Sequence, residues 1–164
     1  MLRHSPPPQT PKKRLGAAAV EMALVLPIFM TLTFVSIETG HALNVSQKLQ
    51  TVVRDAGRLA GKDIDPSLLA GGITANQKIT NDIKNILRAE GYPVTNMGVT
   101  IVYADGASVG QTFDLGLASN AYKMFRITVT IPYNDVKMFP MGIKSAPVLK
   151  ATLVASRGRS TLNY

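Results

Sequence analysis

Glu21 is the one charged residue in the stretch from Leu15 to Ile37. That stretch is long enough to cross a bilayer, and an acidic residue at the centre of a membrane helix costs about 2.5 to 3.5 kcal/mol on translocon-type scales. Glu21 stands near the start of the run, five residues after Gly16. Gly16 in turn follows closely on the basic cluster Lys12-Lys13-Arg14. A costly carboxylate behind a basic leader and a glycine points to assembly, because a partner for the charge has to come from elsewhere.

Other residues with chemical potential are sparse. The chain has no cysteine, which excludes disulfides, thiolate chemistry and cysteine metal sites. Its two histidines are His4, in the leader, and His41, just beyond the apolar run. A histidine-dependent hydrolase or a zinc centre would have to be built from these two, so no catalytic residue, metal or cofactor is expected. Asp63-x-Asp65 lacks the distal glutamate of a calcium loop and reads as a turn. Gly57-x-x-x-Gly61 has a helix-packing spacing but lies outside the apolar run. Close packing on a sheet, or a fraying helix end, is expected there. The sequon Asn44-Val45-Ser46 falls on a predicted helix and carries no weight.

These residues need elements to position them. The chain has 164 residues and a formal net charge of +8, from 18 Lys and Arg against 10 Asp and Glu. Four of the cations (Arg3, Lys12, Lys13, Arg14) lie in the first 16 residues, which hold no acid. The remainder is 14 against 10, or +4. Part of the high charge is therefore a targeting feature, and the rest reads as a solvated face. No basic run with interleaved aromatics follows Arg14, so nucleic-acid binding is not expected.

Met1 to Leu15 is a Pro-rich basic leader. Ala17 to Ile37 is 21 residues long. As a helix it spans about 32 Å, which matches a hydrocarbon core of about 30 Å. Pro27 lies inside it and is tolerated in lipid. Four cations before the run, and Glu38 as the first charge after it, place the N-terminus in the cytoplasm.

The helical pattern continues past the run. Ala42, Val45, Leu49, Val52, Val53, Ala56, Leu59 and Ala60 recur at spacings of three and four, with Lys48, Gln50, Arg54, Asp55 and Arg58 between them. One long helix from about Ala17 to Ala60 is expected, apolar all round in its first half and amphipathic in its second. Gly40 is a candidate bend. Gly61 is the end signal, before the turn-like Asp63-Ile64-Asp65-Pro66. A second helix is expected over Thr74 to Glu90, capped by Thr74, with Ile79, Ile83, Ile86 and Leu87 on one face. Strands are expected at Val99–Tyr103, Phe125–Ile131 and Val148–Val154, with a weaker fourth at Gln111–Leu117. The fold class is α+β: a long N-terminal helix packed on a small antiparallel sheet, with a second helix. The organisation is a basic leader over 1–16, the long helix over 17–61 and a head over 62–164.

The run Lys12-Lys13-Arg14-Leu15-Gly16-Ala17-Ala18-Ala19-Val20-Glu21, followed by Met22-Ala23-Leu24-Val25-Leu26-Pro27, resembles the processing site of type IV pilin-like proteins. It is most similar to the TadE-like minor pilins (pseudopilins) of tight-adherence (Tad) pili. Gln47 to Ala60, with its Arg54-Asp55-Ala56-Gly57-Arg58 core, also looks like the end of that family's long helix. The resemblance covers roughly residues 12 to 61 and is specific as a combination. The long Pro-rich leader departs from the pattern, and Glu38-Thr39-Gly40-His41 matches it only approximately.

The resemblance implies cleavage by a prepilin peptidase between Gly16 and Ala17. The small residues Gly16 to Ala19 suit that step, because they let a peptidase approach the backbone. The new Ala17 amine would be cationic, with an unperturbed pKa of about 7.7 to 8.0. Glu21 would then pair with the Ala17 amine of a neighbouring subunit, and a paired charge is tolerable in lipid where a lone one is not. The implied partners are the inner membrane, the peptidase, other pilin subunits and the pilus assembly platform. The implied role is structural, in pilus biogenesis and adhesion, with a single-pass anchor and a periplasmic head. The competing reading is a secreted or anchored binding domain whose signal peptide is cut after Ala42, at the small-x-small site Gly40-His41-Ala42. An anchored enzyme ranks last.

Overall fold

The computed structural model describes residues 14–62, 71–139 and 147–158, with side chains from Gly16 onward. The leader with Lys12 and Lys13, and the predicted turn Asp63–Pro66, lie outside the described residues. Two compact units are distinguished, one ending at Thr39 and one beginning at Gly40.

Helix α1, Arg14–Ala60, runs unbroken through Pro27 and Gly40. Up to Ile37 its apolar side chains are exposed nearly all round. From Val45 on it is one-sided: Val45, Leu49, Val52, Val53, Ala56, Gly57 and Ala60 are buried, while Lys48, Thr51, Arg54, Asp55 and Arg58 are exposed. Leu59, expected on the buried face, is 47% exposed. The contact arc turns toward Gly57 and Ala60, and Leu59 lies about 100° round the helix from Ala60.

Gly57 explains that turn. A Cβ there would come within 2.0 Å of Leu153 Cδ2, so this position takes no side chain without displacing Leu153. Gly61 serves a similar purpose: a Cβ on it would lie 3.2 Å from the Gly57 carbonyl and 3.3 Å from that of Ser156. The Gly61 carbonyl accepts from the Gly158 N–H at 2.8 Å, which ties the helix end to the chain leaving the last strand. The Gly57-x-x-x-Gly61 spacing is thus close packing on the sheet.

Helix α2, Ala75–Ala89, begins with a capping box. The Thr74 hydroxyl accepts from the Gln77 N–H at 3.2 Å, and the Gln77 side chain accepts from the Thr74 N–H at 2.8 Å. The helix ends in a Schellman turn at Gly91, whose φ of 87° favours glycine. Tyr92 N–H donates to Leu87 at 2.9 Å and Gly91 N–H to Arg88 at 3.0 Å. Ala75, Ile79, Ile83 and Leu87 form its buried stripe, at strict four-residue spacing. Ile86, expected on that face, is 39% exposed, because it lies one residue's turn away from the stripe.

Strands β1 (Gly98–Tyr103), β2 (Met124–Pro132) and β3 (Val148–Ser156) form an antiparallel sheet in that order. Ile101, Ile127 and Leu153 stand side by side in register. Alternation along β2 is strict: Phe125, Ile127, Val129 and Ile131 are fully buried and the residues between them are not. These side chains meet the stripes of α2 and of α1 beyond Val45 in one core. The protein is α+β as expected. A short helix α3, Tyr133–Val136, follows β2.

The expected fourth strand is not formed. Over Gln111–Leu117 the chain makes one isolated bridge, Thr112 to Val102. The Asn76 side chain takes the groups that would extend it, donating to the Phe113 carbonyl at 2.6 Å and accepting from the Leu115 N–H at 2.9 Å. Phe113 and Leu115 are buried nonetheless. Their apolar pattern marked burial in a loop, where a side-chain amide replaces the ladder.

Candidate functional site

The candidate site lies in the first turns of α1. Gly16, Ala17 and Glu21 are all exposed, and nothing comes within 4 Å of where a Gly16 Cβ would stand. Small side chains from Gly16 to Ala19 leave this backbone slim on every side. Ala17 and Glu21 are four residues apart on one helix and so share a face. Among the described residues, Glu21 has no hydrogen-bond or ion-pair partner. Of the basic cluster, Arg14 is the first residue of α1, while Lys12 and Lys13 fall outside the described residues.

The helix beyond Glu21 suits a hydrocarbon surrounding in its polar details as well as its apolar ones. Thr31, Thr33, Ser36 and Thr39 each donate a hydroxyl to the carbonyl four residues back, on Pro27, Phe29, Leu32 and Val35, at 2.8–2.9 Å. Each hydroxyl is therefore satisfied by its own helix and needs no water. Glu38 is buried.

His41, seen in the sequence only as a residue past the apolar run, has a structural partner that the sequence did not signal. Its Nε2 lies 2.7 Å from the Val136 carbonyl. A carbonyl can only accept, so this nitrogen carries the proton. No periodicity links residues 95 positions apart, and the short helix that presents Val136 carries no strong pattern.

Among the described residues, one helix is long and apolar enough to cross a membrane, and none of its most apolar window is buried. Such a helix, preceding in sequence an α+β unit with its own core, is consistent with a single-pass membrane anchor. The family model of TadE-like proteins matches residues 16–58, so over that segment the chain is similar to TadE-like proteins. The match begins at Gly16, takes in Ala17 and Glu21, and ends two residues before α1 does. No curated protein and no solved structure matches the chain.

Proposed function

We propose that the protein is a TadE-like minor pilin, processed after Gly16 and taking part as a structural subunit in Tad-type pilus biogenesis. Residues 1–16 are then the leader, with Lys12, Lys13 and Arg14 holding it on the cytoplasmic side. Ala17 to Ile37 is the membrane and packing helix, and the α+β head is periplasmic. The observation that carries this reading is the exposed Glu21 carboxylate. It lies on the same face as Ala17, within the segment that matches the TadE-like model. Cleavage after Gly16 would put a positive amine on Ala17. Pairing it with Glu21 of a neighbouring subunit removes two uncompensated charges from lipid at once, and so favours association. On this reading the protein is not an enzyme and takes no cofactor. Its partners are the prepilin peptidase, other pilin subunits and the assembly platform, and adhesion is the downstream role.

The mass and N-terminal sequence of the membrane-extracted protein test the proposal. Removing 16 residues from 164 leaves a 148-residue chain that begins at Ala17. A chain beginning after Ala42 would sink the proposal and support a secreted domain.

A further inference from the structure

We infer that Lys137–Phe139, just after α3, is a second membrane contact: a short segment of the head that sits in the lipid headgroup layer, positioned by His41. This rests on the membrane reading above. The apolar run ends at Ile37, and His41 follows four residues later. Four residues reach at most about 14 Å however the chain runs. In a helix they rise about 6 Å. The polar layer on each side of the hydrocarbon is about 5–8 Å thick. Covalent continuity alone therefore keeps His41 at or near the membrane surface. His41 Nε2–H donates to the Val136 carbonyl at 2.7 Å, and Val136 is buried in the head. Lys137 is the next residue, so the segment begins directly beside that hydrogen bond.

Its chemistry fits that layer. Met138 is 56% exposed, with a large, flexible, apolar side chain. Lys137 and Phe139, on either side of it, are half-exposed, and Tyr133 leads into the same turn. Aromatic residues with a lysine are the usual composition at a membrane–water boundary, where lysine keeps its stem in the apolar layer and its ammonium among phosphates. The nearby acid, Asp135, is engaged by the Asn96 amide at 3.0 Å, and Lys137 itself donates to the Asn134 side chain at 3.2 Å. The sequence after Phe139 lies outside the described residues and carries no charge until Lys144.

The chain has no tryptophan, so one introduced residue is a unique reporter. Three single variants of the full chain, Phe29→Trp, Met138→Trp and Val109→Trp, would be placed in phosphatidylcholine–phosphatidylglycerol vesicles carrying brominated acyl chains. Phe29→Trp should be quenched by bromines deep in the bilayer. Met138→Trp should show blue-shifted emission and be quenched by bromines close to the headgroups. Val109→Trp, exposed on the loop after β1, should show neither effect. If Phe29→Trp is quenched while Met138→Trp behaves like Val109→Trp, the inference fails and the membrane reading stands. If Phe29→Trp is not quenched, both fail. A blue shift of Met138→Trp without bromine quenching means that a protein surface covers it, and also overturns the inference. Adding His41→Ala should lower quenching in the Met138→Trp variant and leave Phe29→Trp unchanged. Unaltered quenching would refute the positioning role of His41.

Discussion

The effect of replacing Gly57 by alanine on the stability of the head should depend on Leu153. The new Cβ would lie 2.0 Å from Leu153 Cδ2 and 3.4 Å from its Cγ. Carbon atoms in good contact sit about 3.5–4.0 Å apart, so the δ methyl must retreat by about 1.5 Å. Overpacking of this kind costs about 1–3 kcal/mol. Against it stands the preference of a helix interior for alanine over glycine, about 1 kcal/mol. Gly57→Ala alone should therefore range from neutral to about 2 kcal/mol destabilising, the difference between those two terms. Leu153→Ala removes the two atoms that the new methyl would meet, and no other lies within 4 Å outside the helix's own backbone. In that background Gly57→Ala should stabilise by about 1 kcal/mol. Urea unfolding of the four full-length proteins in micelles, followed by circular dichroism, measures both steps. An effect of the same sign and size in both backgrounds would refute the close packing of α1 on β3.

Three further outcomes are expected. Glu21→Ala should leave processing after Gly16 intact but lower incorporation into sheared pili, read by immunoblot; normal incorporation would rule out the charge pair. Thr74→Ala removes one half of the capping box and should cost about 1 kcal/mol in urea unfolding, whereas Thr74→Ser should cost much less. Asn76→Ala leaves the Phe113 carbonyl and Leu115 N–H without their partner, and should cost about 1–3 kcal/mol. It should also speed hydrogen exchange at Leu115, and unchanged protection there would mean the amide does not hold the loop.

Most of the fold was legible because it rests on local periodicity. The stripe of α2, the strict alternation of β2 and the Thr74 cap each follow from a few neighbouring residues. The misreadings share one cause, a dependence on distant partners. Leu59 and Ile86 satisfy the helical spacing, but whether each is buried depends on where the sheet touches the helix. Gln111–Leu117 has the composition of a strand, and only Asn76, 37 residues from Phe113, diverts it. The contact between His41 and Val136 spans 95 positions and could not be read at all. At the candidate site the reverse holds. Ala17 and Glu21 are four residues apart on one helix, so the face they share could be read before any tertiary structure was known.

The polar groups of α1 point to why the carboxylate matters more than the apolar surface around it. Lipid tails are as apolar as the side chains of the run, so burial offers little drive for one such helix to choose another, or to choose an axial position along it. The hydroxyls of Thr31, Thr33, Ser36 and Thr39 offer no handle either, since each is bonded within its own helix. Glu21 is left as the group whose cost depends on a neighbour. If it meets the Ala17 amine of the next subunit, the two parallel helices are offset by four residues, an axial stagger of about 6 Å. A single charge then sets both the decision to associate and the register, and moving it by one turn to position 25 should move the register by the same amount.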